Sequence, residues 1–253
     1  MAIIAMDEET VFTHFNTHYS FEGKKVLEIG GSIPEKYVQN AQEWVSIDPR
    51  NTNFVSNNYY YIQGYAQSVN YPDNYFDYIF SCNSFHHISR FDEALSELYR
   101  VLKTDGIVFS IFGPIWSAPD GCHIEHVPYQ KGFINFWEEQ LVPDWYHLVY
   151  NFKELYTILS ANMENKKAYA IAEYIFFSNW INRMSIFEYY ECIKNSKFLV
   201  VEFAGSSDWG YDHYNISYRN NLFDKFATWK QKTFSKFPEQ YCIRDLNLVL
   251  KKI

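Results

Sequence analysis

Lys25-Val-Leu-Glu-Ile-Gly-Gly31 is a short apolar run that passes through a carboxylate into two glycines, and Val45-Ser-Ile-Asp48 follows it one crossover later. A buried strand that ends in glycines and is followed by Pro34 reads as the first strand-turn-helix unit of a doubly wound sheet, with a helix over residues 34–42. Ligands of such sheets bind beyond the carboxyl ends of the strands. Gly30 and Gly31 let a ligand approach the backbone closely. Asp48 ends the second strand (44–47), about 20 residues after the glycine turn, where a carboxylate accepts hydrogen bonds from both hydroxyls of a ribose. An ordinary turn with a solvated Asp fits either half of the pattern alone; the combination points to a nucleoside site.

The loop Gly30-Gly-Ser-Ile-Pro34 lacks G-x-G-x-x-G, the arrangement that aims a helix amino terminus at a pyrophosphate. Glu28, just inside the strand, would repel phosphate but can hold a cationic amino acid directly or through water. A cofactor with an adenosine, an ammonium and a sulfonium therefore fits better than NAD.

Four stretches, in order, carry a family resemblance. Val26-Leu-Glu-Ile-Gly30 is similar to a glycine-rich first motif and Ile47-Asp48 to an acidic second. Tyr71-Pro-Asp-Asn-Tyr-Phe-Asp-Tyr-Ile-Phe-Ser-Cys-Asn-Ser-Phe-His-His-Ile88 is similar to a fourth-strand motif, and Leu98-Tyr-Arg-Val-Leu-Lys-Thr-Asp-Gly106 to the helix and turn before a fifth strand. Over residues 21–112 the chain thus resembles the class I S-adenosylmethionine-dependent methyltransferases, type 11 group. The resemblance implies an α/β doubly wound, seven-stranded, mostly parallel Rossmann-like sheet with S-adenosylmethionine as cofactor. It implies Glu28, Gly30, Gly31 and Ser32 at the methionyl end, Asp48 at the ribose, and Gln63-Gly-Tyr-Ala66, through Tyr65 and Ala66, at the adenine. Tyr65 stands where the family often has an Asp, and Ser32 and Pro34 replace later glycines of the family loop. Ser81, Cys82 and Asn83 end the fourth strand, where cofactor and target atom meet in the family.

Outward from these motifs, an acidic amphipathic segment is expected over 7–19, strands over 24–29, 44–47, 59–63, 76–81 and 107–112, and a helix over 91–102. Segments 197–203 and 241–250 read as strands, by resemblance the sixth and the antiparallel seventh. One methyltransferase domain (1–253) is expected, with a cofactor-binding half (21–112), a large lid and substrate insertion between strands five and six (113–196), and a C-terminal part (197–253) with a connecting helical segment. Residues 113–196 exceed what a crossover of one helix needs; helices are expected over 151–161, 166–179 and 185–193. A second connection, 205–240, is expected to close the site from the other side.

Methyl transfer to a hydroxyl needs a base near the acceptor. His123, Glu125 and His126 cluster in a turn-rich stretch after the fifth strand, and a histidine is suited to take a proton at neutral pH. Either histidine is a candidate catalytic base, with His147 a second choice; a loop of solvated histidines is the competing reading. His86 and His87, at a helix start, read as packing or cap residues. Two histidines this close would suit zinc or iron better than magnesium, and no metal is expected. Trp116, Tyr129, Trp137 and Trp145 favour a sugar or other polyol, or simply form the insertion's own core. Arg183 pairs with a substrate phosphate or forms an ordinary ion pair. The start Gly113-Pro-Ile-Trp-Ser117, the His-rich turn and Pro143-Asp-Trp-Tyr-His147 resemble bacterial methyltransferases of surface-polysaccharide contexts.

A net charge of −8, with no Lys/Arg run longer than two, argues against a duplex nucleic-acid partner. Cys82, Cys122, Cys192 and Cys242 have no paired spacing, which suggests reduced intracellular thiols. No apolar run approaches the ~20 residues that span a bilayer, and the first residues are short and acidic for a signal peptide, so a cytoplasmic protein without a membrane partner is expected. Aromatic residues make up 20%, a bias that AT-rich coding produces by itself, so scattered tyrosines are discounted. The resulting expectation is an O-methyltransferase of a small molecule, a nucleotide sugar or capsule-polysaccharide precursor. The alternatives are a quinone, phenol-like or amine acceptor, or a non-catalytic S-adenosylmethionine-binding module.

Overall fold

Apolar residues on both faces of a strand require cover on both sides, and from Val26 to Ile29 the first strand is wholly buried. The structure, a computed structural model, describes residues 8–31, 33–50, 52–136, 138–206, 241 and 243–253. The elements in chain order are α1 (Glu8–Tyr19), β1 (Lys25–Ile29), β2 (Glu43–Asp48), β3 (Phe54–Ser56), β4 (Tyr59–Gln63), β5 (Phe76–Cys82), α2 (Phe91–Val101) and β6 (Leu102–Phe112). They continue with β7 (Val127–Tyr129), β8 (Gly132–Ile134), α3 (Tyr146–Val149), α4 (Phe152–Ser160), α5 (Asn165–Phe177), α6 (Ile186–Lys194), β9 (Leu199–Ser206) and β10 (Asp245–Lys251). None of the described helices is long and apolar enough to cross a membrane.

One mixed sheet runs in the order β3-β4-β2-β1-β5-β6-β10-β9. Strands β4, β2, β1, β5 and β6 are parallel, whereas β3 is antiparallel to β4, and β10 to both β6 and β9. The chain builds outward from β1 to β2 and β4, then returns to lay β5 against the other side of β1. Ligands of open α/β sheets bind at such a reversal, here the carboxyl ends of β1 and β5.

Three expectations are corrected. The described sheet has eight strands, not seven, because Asn57-Asn58 turns β3 back onto β4 as a two-residue hairpin; Asn57 has φ 50°, which such turns require. The helix expected over 34–42 is only a 3-10 turn, Glu35–Tyr37. Its carbonyls are engaged elsewhere: Asn58 Nδ2 donates to Val38 O (3.2 Å), Gln39 O (3.3 Å) and Ala41 O (2.7 Å), and the Gly23 amide donates to Asn40 O (2.8 Å). Finally, the fifth parallel strand starts at Leu102 rather than residue 107, directly from α2. There Asp105 N donates to Lys252 O (2.9 Å) and Lys252 N to Gly106 O (3.0 Å), which draws the expected turn into the sheet.

The chain divides into two compact units, one of residues 1–113, 187–206 and 245–253, the other of 114–186 and 207–244. In the first, α1 lays Val11, Phe12 and Phe15 onto Val26, Trp44, Phe80, Phe109 and Val249. Strand alternation sends Leu27, Ile79 and Val108 to the opposite face. Phe91 of α2 and Tyr189 of α6 meet there with ring centroids 5.2 Å apart, and Tyr189 also meets Phe112 at 5.2 Å. The second unit has its own core, in which Ile124, Val127 and Ile134 pack with Leu155, Leu159, Ala168 and Ile171. Its α4 starts in a capping box: Glu154 N donates to Asn151 Oδ1 (3.1 Å) and Asn151 N to Glu154 Oε2 (2.9 Å). Trp145 of this unit is buried, its indole donating to Tyr241 O (3.0 Å).

Candidate active site

The glycine turn after β1 is braced from three sides. Glu28 is buried, and its carboxylate accepts from Ile33 N (3.0 Å) on one oxygen and from the Trp44 indole (2.7 Å) on the other. Tyr59 donates its hydroxyl to Ile33 O (3.1 Å) and Tyr61 to Gly31 O (3.2 Å). Gly30 donates to Ile47 O (2.8 Å). Its φ is +98°, and a Cβ there would lie 1.7 Å from Ser84 Oγ, so glycine is obligatory. Ser32 lies outside the described residues.

At the end of β2, Asp48 is buried and faces Arg50. The Arg50 amide donates to Asp48 Oδ1 (2.7 Å), Arg50 Nε to the same oxygen (3.0 Å), and a terminal guanidinium nitrogen to Oδ2 (2.9 Å). Burial by itself raises the Asp48 pKa, but the Arg50 hydrogen bonds and charge outweigh it and hold the carboxyl below its usual range. At the end of β5, Ser81 Oγ donates to Ile29 O (3.1 Å), which ties β5 to β1. Asn83 has φ 50°, suited to Asn, and its amide donates to Ile111 O (3.0 Å). Its Oδ1 is buried without a hydrogen-bond partner among the described residues, the kind of orphan that a bound ligand satisfies. Beyond β4, Ala66 is buried while the Tyr65 side chain is 64% exposed. Gly30, Gly31, Asp48, Ser81 and Asn83 thus stand at the ends of strands in register, with Ile29 opposite both Ile47 and Ser81.

The second unit gathers His123, Glu125 and His126. Glu125 Oε2 lies 3.3 Å from His123 Nε2, and its Oε1 lies 3.7 Å from His126 Nε2. The Trp180 indole donates to Glu125 Oε2 (2.8 Å). The His123 side chain is 8% exposed and that of His126 55%. Both residues sit at positive φ, 41° and 50°, a conformation that persists only where its surroundings hold it. Asn135 Oδ1 accepts from His126 N (2.8 Å), Phe136 N donates to Ile124 O (2.7 Å), and Tyr174 donates its hydroxyl to His123 O (3.1 Å).

His147 is placed otherwise. It is buried, with Nε2 2.8 Å from Trp116 O. A carbonyl only accepts, so Nε2 carries the proton. Burial lowers its pKa to about 4. Arg183 forms no ion pair among the described residues: its Nε donates to Ile175 O (3.1 Å), closing the C-terminal end of α5, and its guanidinium lies 5.6 Å from the Trp116 ring. His86 is buried in the 3-10 turn Phe85–His87, its ring stacked on Phe112 at 6.3 Å. Trp137 and most of the 205–240 connection lie outside the described residues.

Residues missed from sequence are those that hold the site together. Trp44, Tyr59 and Tyr61 brace the glycine turn, Arg50 faces the acid and Trp180 anchors Glu125. Tyr59 and Tyr61, two apart on one strand, share a face, a signal that discounting tyrosines hid. Arg50 follows Asp48-Pro49, a spacing that permits a turn in which the Asp side chain accepts the amide two residues on.

Residues 28–110 match a family described as Methyltransferase domain, the type 11 group. None of the curated proteins matches the chain in sequence. Among solved structures, the chain is similar to a protein of Listeria monocytogenes assigned as an S-adenosylmethionine-dependent methyltransferase, with 11% identity over 98% of this chain and 100% of that one and a TM-score of 0.52. It is also similar to an N-methyltransferase of Haemonchus contortus in complex with phosphomonomethylethanolamine and S-adenosylhomocysteine, with 14% identity over 99% of this chain and 54% of that one and a TM-score of 0.51. At such identities the likeness is one of fold. The sequence match gives the motif-bearing strands, residues 28–110, a methyltransferase domain on a Rossmann-like α/β sheet, and the activity is that of an S-adenosylmethionine-dependent methyltransferase. Its cofactor is S-adenosylmethionine.

Proposed function

We propose that the chain O-methylates a small hydroxylated acceptor, a nucleotide sugar or polysaccharide precursor, with His123 as base and residues 113–196 as the acceptor-recognition segment. The observation that carries the reading is the histidine pair sharing the Glu125 carboxylate. A carboxylate beside one imidazole nitrogen fixes the tautomer and stabilises the imidazolium that forms when the other nitrogen takes the acceptor proton. His126, more exposed on the same carboxylate, is the alternate base. His147 is disfavoured: a buried imidazole with a pKa near 4 is a weak base at neutral pH.

The first unit's residues fit the cofactor, which supplies an electrophilic methyl group on sulfur. Asp48 is the acceptor for the ribose hydroxyls, Asn83 Oδ1 offers a buried acceptor, and the exposed Tyr65 ring is a face on which adenine can stack. The braced Gly30–Gly31 turn admits the methionyl end close to the backbone. Glu28 acts there by holding the turn. For the acceptor, the aromatic side chains Trp116 and Tyr129, partly buried on the second unit's core, suit the C–H faces of a sugar.

The test is methyl transfer to a panel of nucleotide sugars, catechol-like phenols and phosphoethanolamine, with wild-type, His123→Gln and His126→Gln chains. Loss of the base lowers turnover at saturating acceptor by about 10²–10⁴-fold, whereas loss of a mere contact chiefly raises KM. Transfer to an amine alone, with both variants at native turnover, refutes the hydroxyl reading.

A further inference from the structure

The structure places an arginine fork on the acid that the cofactor needs. Resting on the reading that Asp48 receives the ribose diol, we propose that Arg50 is a cofactor-gating residue: its guanidinium occupies the Asp48 carboxylate and must leave for the ribose to be held by both oxygens.

A carboxylate offers about four acceptor directions, two on each oxygen. The Arg50 amide and Nε take both directions on Oδ1, and the terminal guanidinium nitrogen takes one on Oδ2. One direction is left, and a vicinal diol needs two. The amide bond alone, closing a turn through Pro49, already fixes the Asp48 rotamer. That turn is anchored independently, because Gln63 Nε2 donates to Pro49 O (3.0 Å) and Gln63 N to Asn53 Oδ1 (2.8 Å). The guanidinium is therefore redundant for orientation. With its side chain 59% exposed against 6% for Asp48, the guanidinium has an open path into water. Removing it frees one direction on each oxygen and keeps the carboxylate aimed.

Binding is read by calorimetry with S-adenosylhomocysteine on the full chain, comparing wild type, Arg50→Gln, Arg50→Lys, Asp48→Asn and the double variant at low and high salt. With one partner exposed and screened by water, the pair is weak enough that Arg50→Gln should bind about three- to fivefold tighter, with Arg50→Lys in between because it keeps charge but loses the fork. Wild-type affinity should gain on Arg50→Gln at low salt less than at high salt, where the pair is screened. In the Asp48→Asn background the Arg50 substitution should have no effect. Unchanged or weaker binding by Arg50→Gln overturns the gate. Unchanged binding by Asp48→Asn overturns instead the ribose reading beneath it.

Discussion

Substituting Glu28→Gln tests whether the glycine turn is held by the strand that precedes it. The carboxylate accepts two buried hydrogen bonds, from Ile33 N at 3.0 Å and the Trp44 indole at 2.7 Å. The amide has one oxygen, so it satisfies one donor and turns its NH2 against the other. A hydrogen bond to a charged group contributes about 1.5–3 kcal/mol, and a buried donor left unsatisfied costs about 1–3 kcal/mol. Lower desolvation of the neutral side chain offsets part of this, leaving a destabilisation of about 2–4 kcal/mol. Urea unfolding followed by circular dichroism measures it. Trp44→Phe removes the competing donor, so the double variant should be less destabilised than the sum of the singles by about 1–2 kcal/mol. Since the same bonds fix Ile33, Glu28→Gln should also weaken S-adenosylhomocysteine binding by about tenfold, roughly 1.4 kcal/mol. A destabilisation below about 0.5 kcal/mol with additive double-variant energies would refute the brace.

Two further perturbations follow from the same geometry. Gly30→Ala drives a Cβ into Ser84 and should destabilise the chain by about 3 kcal/mol or more; Ser84→Gly should recover all but the backbone strain, about 1–2 kcal/mol, and absence of rescue in thermal melts would reject the contact. The His147 pKa, lowered by burial from 6.5 to about 4, means that the unfolded chain binds this proton more readily; stability is full above pH 6.5 and falls toward pH 4 by about 3 kcal/mol. His147→Gln, whose amide can still donate to the Trp116 carbonyl, should flatten that part of the stability profile, and parallel profiles would sink the assignment.

Strands were legible where a local rule governs them: an apolar run into glycines, or alternation bounded by turn residues. Elements decided by distant partners were not. Nothing local shows that Asn58 takes the carbonyls of 38, 39 and 41 and so prevents a helix. Asn57-Asn58 did carry a hairpin signal, masked by the brevity of Phe54–Ser56. At the site, Gly30 and Asp48 announce themselves because their chemistry is tied to position at a strand end. The partners that brace them lie far along the chain, Trp44 sixteen residues and Tyr61 thirty residues from what they hold. Arg50 was near enough to read, yet a charged residue in a turn has no signature that tells an occupied acid from a free one.

The insertion of β10 between β6 and β9 has a consequence for synthesis. Among the described strands β9 joins the sheet only through β10, and β10 reaches β6 across about 140 residues, Leu246 lying opposite Phe112. During translation, β6 therefore presents an unpaired apolar edge while residues 113–244 emerge, and β9, made earlier than β10, has no ladder to join. Pairing at such separation is slow, and an open edge invites intermolecular association. Nascent chains stalled before residue 245 should consequently recruit chaperones and aggregate on release, whereas chains carrying 245–251 close both flanks in one step.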